Sequence, residues 1–122
     1  MCEFCRKGLY TSCVNGGFWS PYSEHGGAQA EKLRVPHANG TLIQVPDPYA
    51  DDEDVLESLL PLTDVLPTGH HAAVSADLSA GDTAVVIGDG AVGLCAVLAS
   101  RRIGAERIIA VGHHEDRLEI AE

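Results

Sequence analysis

The feature that most restricts what this chain can fold into lies between residues 84 and 111. Ala84-Val85-Val86-Ile87 is a short apolar run suited to a buried strand, and Gly88-Asp89-Gly90-Ala91-Val92-Gly93 follows it as a glycine-rich turn. Ala91 to Ile103 reads as a helix, closed by Gly104 as its C-cap after Arg101 and Arg102. Arg107 to Val111 reads as a second buried strand, and Glu115 begins another helix. The expected fold class is α/β, with the start of a Rossmann-type parallel sheet in β-α-β order.

Each glycine of the turn has a distinct task. Gly88 permits a tight bend, Gly90 lets a diphosphate approach the backbone, and Gly93 lets the helix pack close to the strand. The N–H groups and dipole of the helix start, at Ala91 and Val92, then face that diphosphate. Glycine patterns of this form are common, but the strand before and the helix after make this one specific for a dinucleotide. The plainer alternative is a glycine-rich βα turn without a ligand. An NAD site needs an acid at the end of the second strand, to accept the ribose 2′-hydroxyl. That position holds Gly112, followed by His113 and His114. Glycine makes room for a 2′-phosphate that His113, His114 or Arg117 could neutralise, so NADP(H) is favoured over NAD(H). Against this stands a Gly112 that merely turns the chain, with Glu115 reaching back to the ribose.

Upstream, Lys32-Leu33-Arg34-Val35 alternates and is closed by Pro36. Asn39-Gly40 reads as a tight turn before the strand-like run Thr41 to Val45. Asp51-Asp52-Glu53-Asp54 opens a helix, since acids suit the positive end of its dipole. A calcium loop is the lesser alternative, because its glycine and terminal glutamate are missing. A further helix is expected over residues 63–76, with Pro67 in its first turn and Asp64 as an N-cap. His70 and His71 read as helix-surface or cofactor-side residues.

With 18 acidic and 8 basic residues the net charge is -10, which repels phosphate backbones and argues against nucleic-acid binding. No apolar stretch approaches the roughly eighteen residues of a membrane span, so no membrane partner is expected. Cys2, Cys5 and Cys13 crowd the amino-terminal end, while Cys95 stands in an apolar run as a packed thiol. Clustered thiols without a secretory leader read as ligands of a structural zinc in a cytoplasmic protein; three free surface thiols are the alternative.

Together these residues resemble the zinc-containing alcohol dehydrogenases of the medium-chain dehydrogenase/reductase superfamily. That family carries a C-x2-C-x2-C-x7-C zinc lobe, of which Cys2, Cys5 and Cys13 look like the second, third and fourth ligands. Gly26-Gly27-Ala28-Gln29-Ala30-Glu31 with Val35-Pro36 is similar to a stretch of its GroES-like catalytic domain. Thr63-Asp64-Val65-Leu66-Pro67-Thr68-Gly69 resembles the entry to its cofactor domain. In the branch that includes bacterial secondary-alcohol, threonine and formaldehyde dehydrogenases, Asp64 takes the place of a catalytic-zinc ligand.

The resemblance implies three segments: 1–62 from a β-rich GroES-like domain, with the zinc loop at 1–20; 63–80 as a connecting helix and turn; and 81–122 as the first βαβ of an NAD(P)-binding domain. It implies Zn2+ and a nicotinamide cofactor, hydride transfer to or from a small alcohol, aldehyde or ketone, and a homo-oligomeric full-length protein. It also implies a chain that starts and stops inside larger domains, hence inactive alone. A non-catalytic zinc- and dinucleotide-binding sensor or scaffold is the rival reading. Phe18 and Trp19 are candidates for a substrate pocket or a loop anchor.

Overall fold

The computed structural model describes residues 2–16 and 27–122. It forms two compact units, Met1–Val45 and Pro46–Glu122. The boundary drawn from sequence at residue 62 falls inside the second.

In the first unit a single helical turn, α1 (Glu3–Arg6), is followed by a 3₁₀ turn at Tyr10–Ser12. The chain reverses between them at Gly8, whose φ of +78° falls in the region that favours glycine. Later comes one more turn of helix, α2 (Ala38–Thr41). Here the expected β-rich character is corrected: among the described residues of this unit there is no strand, and Asn39-Gly40 lies inside α2. Thr41 Oγ1 donates to the carbonyls of His37 and Pro36, which favours the helical turn locally. A strand is defined by its ladder partner, and Leu42 and Ile43 have none; Ile43 is 94% exposed.

The second unit holds the larger elements. Asp52 accepts the N–H of Val55 at 3.2 Å and so caps α3 (Glu53–Leu59), whose first turn carries Glu53 and Asp54. After a 3₁₀ turn at Leu60–Thr63 comes α4 (Val65–Ser75), with Pro67 harmless in the first turn. Then β1 (Thr83–Ile87), α5 (Ala91–Ile103), β2 (Arg107–Val111) and α6 (Glu115–Ala121) follow in order. The two strands pair in parallel, from Thr83 opposite Arg107 to Ile87 opposite Val111. Gly104 takes φ +103° and its N–H closes α5 onto Ser100 and Arg101.

The core is thin and made of small residues. Gly69 and Ala73 of α4 and Ala99 and Ser100 of α5 are buried. A Cβ at Gly69 would lie 2.6 Å from the Ala96 nitrogen and 2.7 Å from the Cys95 carbonyl carbon, so the two helices touch backbone to backbone. Cys95 itself is half-buried.

Both strands depart from the buried reading. Alternate residues are exposed, with Val85 at 58% and Ile87 at 84%. Only one sheet face is covered, whereas parallel sheets are generally covered on both. No helix among the described residues is long and apolar enough to cross a membrane.

Candidate functional site

The turn between β1 and α5 is shaped by its glycines. Gly88 has φ +117°, and its N–H is donated to Val111 at the end of β2 (2.8 Å), which fixes the bend over the parallel pair. A side chain at Gly93 would run into the Gly88 carbonyl oxygen, so the first helical turn sits directly on the bend. Above Gly88 and Gly90, by contrast, an added Cβ meets nothing within 4 Å. Gly90 occupies the N-cap of α5, and no side chain caps that end. The N–H groups of Ala91, Val92 and Gly93, as at any helix start, have no carbonyl inside the helix to bind. The turn therefore combines open space with unspent donors and the positive end of a thirteen-residue helix.

Asp89 faces the other way. It is 7% exposed, and its Oδ2 accepts the backbone N–H of His113 (2.9 Å) and of His114 (2.8 Å). The His114 Nδ1 lies 3.0 Å from the same oxygen. The His114 N–H is the foremost of these influences, which hold the Asp89 carboxyl far below the usual carboxylate range despite its burial. Gly112 is what makes room: a Cβ there would sit 2.5 Å from the Asp89 Cβ and 2.6 Å from its Cγ.

The structure thus brings Gly112, His113 and His114 to the glycine turn, with a carboxylate among them. The end of β2 itself carries no acid, and the β1–α5 turn brings the Asp89 carboxylate beside it. Arg117 is exposed on α6. A groove of about 810 Å³ runs along β1 between α4 and α5 and is lined at the turn by Gly88, Gly90, Ala91, Val92 and Gly93.

In the first unit the sulfurs of Cys2, Cys5 and Cys13 all lie within 4.8 Å of one another, Cys2 and Cys5 at 3.6 Å. Tetrahedral zinc with Zn–S of about 2.3 Å requires sulfurs about 3.8 Å apart, so the three donors fit three corners of such a site. The N–H groups of Cys5 and then Val14 draw the Cys2 thiol down to about 6, while hydrogen bonding to Cys13 pushes Cys5 up. No fourth ligand joins them among the described residues.

Asp64 occupies the N-cap position of α4, but its side chain caps no backbone N–H. That expectation is corrected: Asp64 Oδ1 accepts the Thr68 hydroxyl at 3.2 Å instead. No other metal-ligating side chains cluster with it among the described residues. His70 and His71 are exposed on α4, and the His71 ring approaches Ser75 at 3.4 Å. Gly26, Phe18 and Trp19 lie outside the described residues. What sequence reasoning missed is the part played by Asp89. Its signal was an acid inside the glycine turn matched by a glycine at Gly112, where an acid was expected.

These features define an α/β chain with a parallel strand pair, an open glycine turn at a helix start, and a separate thiolate cluster of metal-ligand spacing. No protein-family model matches the chain. It is 40% identical to an alcohol dehydrogenase of Cupriavidus necator over 78% of its own length and 25% of that protein's. It is 36% identical to a probable zinc-binding alcohol dehydrogenase of Mycobacterium tuberculosis, covering 99% of this chain and 30% of the other. The solved structure of the alcohol dehydrogenase TADH from Thermus sp. ATN1 superposes with a TM-score of 0.80 at 35% identity, over 98% of this chain and 34% of that one. Over most of its length the chain is similar to zinc-type alcohol dehydrogenases, as a piece of an enzyme of the medium-chain dehydrogenase/reductase superfamily would be. It spans between a quarter and a third of the length of these relatives.

Proposed function

We propose that this chain supplies the diphosphate-binding turn and the structural-zinc loop of an oxidoreductase that moves hydride between a small alcohol, or its aldehyde or ketone, and a nicotinamide dinucleotide. The observation that carries this reading is the open, donor-rich turn over Gly88 and Gly90 at the start of α5. Support comes from relatives named as alcohol dehydrogenases. In this reading the second unit contributes a Rossmann-type βαβ, and the first contributes a piece of a GroES-like domain.

The roles of the residues follow from their positions. The N–H groups of Ala91, Val92 and Gly93 receive diphosphate oxygens, and Gly90 lets them come close. Cys2, Cys5 and Cys13 hold a structural Zn2+, which fastens the loop. Asp64 is proposed as one ligand of a catalytic Zn2+, a group that supplies Lewis-acid stabilisation of an alkoxide when bound. A catalytic zinc takes three protein ligands, of which Asp64 would be one. Gly112, followed by His113, His114 and Arg117, favours NADP(H), and the Asp89 carboxylate bonded to His113 and His114 weighs against it.

The test is a titration of the chain with NADH, followed by its fluorescence, beside a Gly90→Val variant. Saturable binding that the variant loses supports the reading. Equal binding by both, or none by the native chain, contradicts it.

A further inference from the structure

Resting on the dinucleotide reading of the turn, we infer that Asp89 is a specificity residue that selects the dinucleotide lacking a 2′-phosphate, NAD(H). The argument begins with donors. A phosphate dianion held at the end of β2 needs N–H groups and positive charge aimed at it. The backbone N–H groups at hand are those of His113 and His114, and both are already donated to Asp89 Oδ2, at 2.9 and 2.8 Å. The His114 imidazole nitrogen faces the same carboxylate at 3.0 Å. What Gly112 vacates is filled by the Asp89 side chain itself, whose Cβ and Cγ stand 2.5 and 2.6 Å from where a Gly112 Cβ would lie.

A dianion brought to this place would lose its donors to a competitor and meet a buried negative charge. Like charges brought together there repel one another. A ribose hydroxyl meets neither obstacle, because it is neutral and can donate to a carboxylate oxygen. The acid that would ordinarily terminate the second strand is thus replaced by one from the glycine turn, 23 residues earlier than Gly112.

Asp89 also ties the loop after β2 to the turn, so a purely structural role is the competing explanation. The two are separated by a ratio of affinities rather than by either affinity alone. Amide NMR spectra of the isotopically labelled chain are recorded during titration with NADH and, separately, NADPH. The same pair is then measured on Asp89→Asn, a change that keeps the side chain's shape and one acceptor oxygen while removing its charge.

The native chain is expected to bind NADH on the order of tenfold or more tightly than NADPH. In Asp89→Asn that ratio should fall several-fold, with NADPH newly shifting the amides of His113 and His114. A ratio unchanged in Asp89→Asn, or a native chain that binds NADPH as tightly as NADH, overturns the inference and leaves the dinucleotide reading standing. The second of these results needs no variant, so it decides even if Asp89→Asn does not fold. A native chain whose amides respond to neither compound overturns the reading and the inference together. A preference for NADPH whose shifts centre on His113 and Arg117 would place the 2′-phosphate outside the Asp89 contact, and also refutes it.

Discussion

The glycine turn at residues 88–93 and the segment 32–45 carry comparable amounts of local patterning, yet only one becomes what its pattern predicts. The turn is over-determined. Gly88 is held by Val111, Gly93 presses on Gly88, and Asp89 grips the loop after β2. The run Thr41 to Val45 has β-type residues and no neighbouring strand to pair with, and its Leu42 and Ile43 lie in the open. Local propensity proposes a strand, but pairing and burial decide whether it exists.

That contrast can be broken by mutation. The largest effect is expected at Gly93→Val, where the side chain collides with the Gly88 carbonyl; a loss of about 3 kcal/mol or more in urea unfolding is predicted. A neutral result would mean that the turn is not closed onto the helix. Next is Gly69→Ala, which forces α4 away from the backbone of α5. Its steric cost exceeds the helix-propensity gain of about 1 kcal/mol, leaving a net loss of roughly 1–2 kcal/mol.

In the first unit, Cys13→Ser should weaken Co2+ or Zn2+ binding by about tenfold or more, seen in the cobalt–thiolate absorption, because one of three donors is lost. Cys95→Ser should leave that band unchanged. A smaller effect belongs to pH. The Asp89 carboxyl is held low in the folded chain, so its stabilisation is complete above the ordinary carboxylate range and fades as pH falls through its folded-state value. Asp89→Asn should therefore melt below the native chain at neutral pH, and the two melting curves should converge in strong acid. The smallest effect is expected at Ile43→Thr, a change of less than about 0.5 kcal/mol at an exposed position. A large loss there would show that segment 32–45 is held by contacts like those of the turn.

Much of the second unit was legible because its determinants are local. Gly104 and the arginines before it mark the end of α5, the runs at residues 84–87 and 107–111 mark β1 and β2, and Glu115 marks α6. The sulfur cluster was legible from spacing, since Gly8 reverses a short loop and brings Cys13 back towards Cys2 and Cys5. What escaped depends on distant partners or on a choice between nearby ones. Asp89 meets backbone groups 24 and 25 residues away. Asp64 turns to the Thr68 hydroxyl rather than to the helix backbone. The exposure of Val85 and Ile87 depends on what covers the sheet, which a strand's own residues do not state.

The central claim is that the start of α5 grips a diphosphate through its backbone. The most direct measurement is a map of amide shifts in the chain as NADH is added. The account predicts that the largest shifts fall on Gly90, Ala91, Val92 and Gly93 and saturate together. Shifts that leave those four amides still while moving residues elsewhere would contradict it.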